Sequence, residues 1–291
     1  MEAQLIKHIR SLPGTDLIGD DAAVIGDRLI TVDMLTEGID FLLAETDPQW
    51  IGRKALAINL SDIAAMGGIP RWVFMAVALP RTGALALAEK LLGGMQSLID
   101  RYNLILAGGD TNTWDGGLVI SITVIGCVPE WGIFSRYSGK AGDKIFVTGK
   151  LGGSILRHQF HFEPRIDEAL HLNEHYNVHA AMDISDGLTL DLHRLATESR
   201  LGATLYESKI PIADDAVALS LQSGRSPLEH ALSDGEDFEL LFTVSPQEAE
   251  KLLELPPFEL YEIGELTAET GLRMVTAEGI TEPLVPRGFE H

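Results

Sequence analysis

Apolar positions change spacing repeatedly along this chain, and each change marks an element. Leu5, Ile6 and Ile9 give residues 1–10 one apolar face, and Pro13-Gly14 closes that short helix. Alternating, β-rich runs follow at 22–25 and 29–33. From Pro48 to Met66, Ile51, Ala55, Ile58 and Ile63 recur at helical spacing before the stop Gly67-Gly68, so Asn59 and Asp62 share a helix face. A strand (Arg71–Leu79), a helix of about five turns (Ala84–Tyr102) and strands at Leu104–Ala107 and Leu118–Val128 come next.

Ser, Gly and Lys cluster over Ser135–Asp143, which puts a domain boundary between residues 137 and 138. Beyond it the pattern predicts strand Lys144–Thr148, helices at 151–160 and Pro164–Tyr176, and a helix opened by the Asp183 motif and running to about Ser199. Strand Ala203–Tyr206, helices at 213–222 and 227–232, strand Phe238–Val244, helix Pro246–Leu253 and strands at 258–264 and 271–275 complete it. Strands and helices mix without the regular alternation of a doubly wound sheet, so the fold class expected is α+β, in two domains, 1–137 and 138–291.

Composition narrows the chemistry. The 291 residues suit two domains, and 45% hydrophobic residues suffice for packed cores. With 22 Lys and Arg against 43 Asp and Glu the formal charge is −21, which argues against a nucleic-acid partner because phosphate backbones are held chiefly by basic side chains. An anionic small molecule remains compatible if metal ions stand between it and the acids. Cys127 is the only cysteine, which excludes a disulfide framework and a four-thiolate zinc site, and its plain reading is a strand cysteine. No run reaches the ~18 apolar residues of a membrane span, and Met1-Glu2-Ala3-Gln4 lacks a basic region followed by an apolar stretch. A cytoplasmic protein without a membrane partner is expected.

Six acidic motifs carry the chemistry: Gly19-Asp20-Asp21-Ala22-Ala23, Thr31-Val32-Asp33, Asn59-Leu60-Ser61-Asp62, Gly108-Gly109-Asp110-Thr111, Asp183-Ile184-Ser185-Asp186-Gly187 and Gly235-Glu236-Asp237. Each acid alone reads as a cap or turn residue. Together they offer the oxygen ligands that Mg²⁺ takes, and metal ions on carboxylates suit phosphoryl transfer, which is a matter of positioning and charge neutralisation. Asp21, Asp33, Asp62, Asp110, Asp183 and Asp186 are the candidate ligands. At the expected helix start, one of Asp183 and Asp186 would cap free N–H groups while the other faces a metal, with Ser185 between them as a phosphate or ribose contact.

Other signals are weaker. Thr148-Gly149-Lys150-Leu151-Gly152-Gly153-Ser154 lacks the spacing of a P-loop, and no Gly-x-Gly-x-x-Gly follows a first strand. His171 and His175 stand four apart among His158, His161 and His179, without the glutamate of a His-Glu-x-x-His zinc helix. Arg136, near the boundary, reads either as a surface ion pair or as a fork for phosphate oxygens.

Gly-Asp-Asp-Ala-Ala-Val, Val-Asp-Met-Leu-x-Glu-Gly-x-x-Phe (32–41), Ala-x-Asn-Leu-Ser-Asp-Ile-Ala-Ala-Met-Gly (57–67), Ala-Gly-Gly-Asp-Thr (107–111), Asp-Ile-Ser-Asp-Gly-Leu (183–188) and Gly-Glu-Asp-Phe-Glu-Leu-Leu-Phe-Thr (235–243) stand in an order that resembles the thiamine-monophosphate kinase family. That family lies within the aminoimidazole-ribonucleotide-synthetase-like superfamily, and the resemblance runs from about residue 15 to Arg287-Gly288-Phe289-Glu290-His291. It implies an N-terminal α/β domain whose sheet pairs with a second subunit's to form a barrel, a C-terminal α+β domain, and a homodimer. It also implies that ATP, with several Mg²⁺ ions, gives its γ-phosphoryl to thiamine monophosphate. Carried over, Asp21, Thr31, Asp33, Asp62, Asp110, Asp183 and Asp186 match metal positions, and Gly109, Asp110, Arg136 and Ser185 match nucleotide contacts. Asp110 and Arg136 would meet the transferring group. Glu236 and Phe289 match positions that meet thiamine, Asp40 occupies a third such position, and Asp20 would support a ligand.

Three departures bear on the site, the first by removing a hydroxyl beside the metals. Val32 stands where the family has Thr, Asp40 where it has His, and the aromatic residue that follows the terminal Asp/Glu-His is absent. An imidazole can donate to a phosphate, whereas a carboxylate repels it unless a metal intervenes. A different phosphorylated acceptor, or nucleotide binding without transfer, is therefore kept beside the main reading. Superfamily relatives that make selenophosphate or mature hydrogenases would carry a cysteine near one terminus, and Cys127 is at neither.

Overall fold

A computed structural model describes residues 2–15 and 17–289; the expected helix start at Met1 and the terminal Glu290-His291 pair lie outside the described residues. Helix α1 (Glu2–Ile9) leads into β1 (Ala23–Ile25) and β2 (Arg28–Thr36). Helix α2 (Pro48–Ala65), β3 (Ile69–Pro80), α3 (Ala84–Arg101), β4 (Ile105–Trp114) and β5 (Val119–Cys127) follow, and the five strands form one sheet in the order β1-β2-β5-β3-β4. Within this sheet only β3 and β4 pair in parallel, joined by α3 as a crossover.

The second sheet takes strands from later in the chain, in the order β12-β11-β8-β10-β6-β9-β7. These are β6 (Lys144–Val147), β7 (Val178–Asp183), β8 (Gly202–Tyr206), β9 (Leu240–Val244), β10 (Tyr261–Thr267), β11 (Gly271–Val275) and β12 (Thr281–Leu284). Helices α4 (His158–His161), α5 (Ile166–His175), α6 (Leu188–Glu198), α7 (Asp214–Ser223), α8 (Pro227–Ser233) and α9 (Pro246–Glu254) connect them. No helix among the described residues is long and apolar enough to cross a membrane.

Helix α2 organises the molecule. Asp47 accepts from Gln49 N as N-cap, Pro48 begins the first turn, and every residue from Ile51 to Ser61 is buried. A helix buried all round lies between layers, and α2 packs on α3, on β2 and β5, and on α4, α5 and β7. Two glycines allow that density: a Cβ on Gly94 of α3 would lie 1.7 Å from Gln49 O, and one on Gly52 would lie 2.0 Å from Leu91 O. Gly94→Ala is therefore expected to cost about 3 kcal/mol in urea denaturation, through forced separation of α2 and α3.

Several elements differ from the sequence expectation. Residues 178–183 form a strand that ends on Asp183, and the helix expected from the Asp183 motif, α6, starts only after Gly187. Burial against β9 stabilises this run, whose alanines carry little strand signal of their own. The expected helix at 151–160 is a 3₁₀ turn (Ser154–Leu156) followed by α4. Strand β4 continues through Gly108-Gly109-Asp110 to Trp114, because a Cβ at Gly109 would meet Met75 O at 1.9 Å and glycine lets β3 and β4 stay paired. The first sheet is an open sheet within one chain; no closed barrel forms among the described residues.

Candidate functional site

Four elements converge on one acidic centre. Asp21 sits in the turn before β1, Thr31 and Asp33 lie on β2, Asp62 is on α2 and Asp183 ends β7. Alternation along β2 sends Val32 and Met34 to the exposed face and Thr31 and Asp33 to the face covered by α2. There the Thr31 hydroxyl donates to Asp62 Oδ2. Ser61, one residue before Asp62, donates to Asp183 Oδ2 at 2.6 Å.

Carboxylate oxygens of Asp21, Asp62 and Asp183 all lie within 4.8 Å of one another. Oxygens on opposite sides of one hard cation stand about 4–5 Å apart, so the spacing fits shared ligation. Electrostatics agrees. Burial, then the neighbouring Asp33, Asp183 and Asp21, holds the Asp62 carboxyl well above the usual range. Burial likewise raises Asp183, with Asp21 adding to it, and pushes Asp33 up to about 6. Negative charge crowded out of water in this way is relieved by a bound cation, and an all-oxygen donor set selects a hard one.

Arg136 is the nearest counter-charge. Its Nε donates to Asp21 Oδ2 at 3.1 Å and its second terminal nitrogen reaches Asp21 Oδ1, while its backbone N–H donates to Asp20 Oδ1 at 2.8 Å. Asp20 thus holds the arginine's backbone, and burial raises its carboxyl. Although burial works against its charge, Asp21 keeps Arg136 protonated.

The remaining expected residues are dispersed around this centre. Asp186 does not join the cluster; it pairs with Arg194 at 2.5 Å, and the start of α6 is capped by Asp191, which accepts from Asp186 N and Gly187 N. The expected capping by Asp183 or Asp186 therefore does not occur, because the strand carries Asp183 away from the helix start. Burial, then the Asp186 charge, pushes Asp191 up to about 7. Ser185 accepts from Glu236 N at 2.7 Å through its carbonyl, and Phe289 N donates to Asp186 O at 2.9 Å, so the two positions expected to meet thiamine border the same loop. Asp40 turns inward: its Oδ2 accepts from Thr36 N at 2.7 Å, closing the loop between β2 and Phe41. Asp110 is exposed on β4, where Oδ1 accepts from Thr111 N, and Gly109 precedes it at the close approach to β3.

Sequence reasoning missed Lys54, Asp191 and Arg194. A lysine directly after Arg53, followed by the apolar stretch Ala55–Ile58, was a readable signal for the first. The other two sit at ordinary helix positions and had none. Asp237 faces away from the centre, accepting from Gly152 N and Ser154 Oγ.

The comparisons with known proteins meet this geometry. Residues 19–128 match the AIR synthase related protein N-terminal domain and residues 140–276 its C-terminal domain. The thiamine-monophosphate kinase of Rhodopirellula baltica is 41% identical, over 99% of this chain and 95% of the relative. That of Aquifex aeolicus is 30% identical, over 100% of this chain and 97% of the relative. A solved structure of AaThiL complexed with AMPPCP and TMP covers 100% of this chain and 95% of its own at a TM-score of 0.86 and 27% identity. A hydrogenase-maturation complex, HypE-HypF, has a TM-score of 0.82 at 18% identity and shares the fold alone. Full-length identity to named relatives, on a chain that gathers its acids at one buried centre, places it in a family: the chain belongs to the thiamine-monophosphate kinases.

Proposed function

We propose that this protein phosphorylates thiamine monophosphate with ATP to give ADP and thiamine diphosphate. The observation that carries the reading is the buried Asp21–Asp62–Asp183 cluster in a chain 41% identical to a thiamine-monophosphate kinase. AMPPCP is an ATP analogue with a carbon bridge to its γ-phosphate, and its presence with TMP in the AaThiL structure supports the pairing of donor and acceptor here.

Mg²⁺ would be held by Asp21, Asp62 and Asp183, with Asp33 and Thr31 beside them. Bound there, it supplies charge neutralisation to the triphosphate and to the oxygens between which the phosphoryl moves. The chain's own residues do the rest. Arg136, delivered to the cluster by Asp20 and Asp21, presents a guanidinium to the phosphates, and Ser185 lines the same loop. A cavity of 470 Å³ beside Asp20, lined by Ile18, Ala22, Val24 and Tyr137 among others, is the place for the nucleoside. Glu236 and Phe289, joined by backbone to Ser185 and Asp186, form the acceptor side. Asp40 closes its own loop, its Oδ2 held by the Thr36 N–H.

The dimer belongs to the same reading. All ten residues of β4 are exposed although it is an edge strand carrying Ile105, Leu106 and Trp114, and the uncovered face of β2 bears Val32 and Met34. A long apolar edge of this kind invites pairing, and a second copy of the sheet would close both edges into a barrel. Asp110 then acquires a role. It lies in register with Ala76, Ser121 and Met34, three strand steps or about 14 Å from β2, too far to share an ion with Asp33 of its own chain. Across the closed edge, Asp110 and Gly109 would reach the partner's metal centre.

The test is incubation of the purified protein with ATP, Mg²⁺ and thiamine monophosphate. ADP and thiamine diphosphate are expected in equal amounts; no product at high enzyme concentration would contradict the reading.

A further inference from the structure

Lys54 is among the largest wholly buried side chains of the described residues, and the metal centre does not use it. Its ammonium meets Glu236 Oε1 at 2.5 Å, Gln159 Oε1 at 2.7 Å and the Asp40 carbonyl at 3.4 Å, and lies 5.1 Å above the Phe160 ring. A fully desolvated ammonium is costly, and an apolar side chain of the same volume would fill the space more cheaply. Its partners show what it organises. Gln159, Phe160 and Glu236 come from the C-terminal half, whereas Asp40 belongs to the loop after β2, so one nitrogen joins segments from both halves of the chain.

Glu236 is itself held in an unusual state. Its φ of 56° is left-handed, and its N–H donates to Ser185 O. The side chain is 35% exposed, and the ammonium occupies Oε1, which leaves Oε2 for a ligand. Thiamine carries a cationic thiazolium, which a fixed carboxylate oxygen can meet.

We propose that Lys54 is a positioning residue for the acceptor: its ammonium fixes Glu236 Oε1 and the Asp40 carbonyl in one geometry, so that Glu236 Oε2 and the 38–41 loop present a ready pocket. The proposal rests on the thiamine monophosphate reading above. Without the ammonium, Glu236 loses its counter-charge and the loop its anchor, while the nucleotide side is untouched.

Steady-state kinetics of Lys54→Met decides it. KM for thiamine monophosphate is expected to rise about tenfold or more with KM for ATP within about twofold of wild type. Because Lys54 acts in part through Glu236, Lys54→Met combined with Glu236→Gln should raise the acceptor KM by clearly less than the product of the two single effects. An unchanged acceptor KM in a folded variant, equal rises for both substrates, or multiplying effects in the double variant would each overturn the proposal. If Lys54→Met does not fold, Gln159→Leu, which removes one partner of the ammonium, must raise the acceptor KM alone, and no rise overturns it. Absence of turnover in the wild type is a failure of the functional reading, seen before any variant is made. Calorimetric titration of thiamine monophosphate into wild type and Lys54→Met then decides positioning by itself, with weaker binding to the variant supporting it and equal binding overturning it.

Discussion

Asp62→Asn is expected to lose about 10³-fold or more in turnover while the metal-free protein becomes more stable at neutral pH. The two effects have one cause. Asp62 is buried among Asp33, Asp183 and Asp21, and its folded-state pKa is raised well above the ordinary 3.8. A group raised in this way contributes stability that is fully present below the unfolded value and is lost as pH rises through the folded one. At neutral pH the metal-free wild type carries that cost, and the asparagine does not, while its amide oxygen still accepts from Thr31. Thermal unfolding in EDTA should therefore give Asp62→Asn the higher Tm, with the gap closing towards pH 4. Added Mg²⁺ should raise the wild-type Tm and leave the variant nearly unmoved. Equal Tm values in EDTA, or an equal response to Mg²⁺, would mean that the acids are not held in mutual repulsion for a cation.

A second large effect concerns the dimer. Asp110→Asn and Asp62→Asn should each be inactive as pure proteins, yet a mixture allowed to exchange subunits should regain about a quarter of wild-type activity. Random pairing makes half of the dimers mixed. In each mixed dimer the intact Asp62 cluster of one chain meets the intact Asp110 of the other, giving one working site of two. If Asp110 served its own chain, every site would keep one defect and the mixture would stay inactive. Sedimentation of the mixture establishes the dimer independently.

Much of the fold was readable because α2 and α3 have long helical periods, closed in α2 by Pro48 and Gly67, and β5 has clean alternation. The strand at 178–183 was not, since its identity comes from pairing with β9 and not from its own alanines. Local glycine signals also misled at Gly108-Gly109, where the glycines serve close strand approach and the strand runs on. Within the site, motif order singled out Asp21, Asp62 and Asp183, which the fold gathers from three separate stretches of chain into one cluster that could hold a metal ion. Spacing alone did not disclose that Asp186 is taken by Arg194 or that Asp40 folds back on Thr36, because both depend on partners that the chain brings together only in three dimensions. Lys54 is the converse case: a charge beside the apolar stretch Ala55–Ile58, legible in the sequence, whose meaning required Glu236 from 182 residues away.

The most direct measurement follows the γ-phosphoryl itself. With ATP labelled at the γ-phosphate, Mg²⁺ and thiamine monophosphate, label should appear at the terminal phosphate of thiamine diphosphate, and EDTA or Asp62→Asn should abolish it. Label recovered only as inorganic phosphate, or transfer that persists in EDTA, would contradict the account.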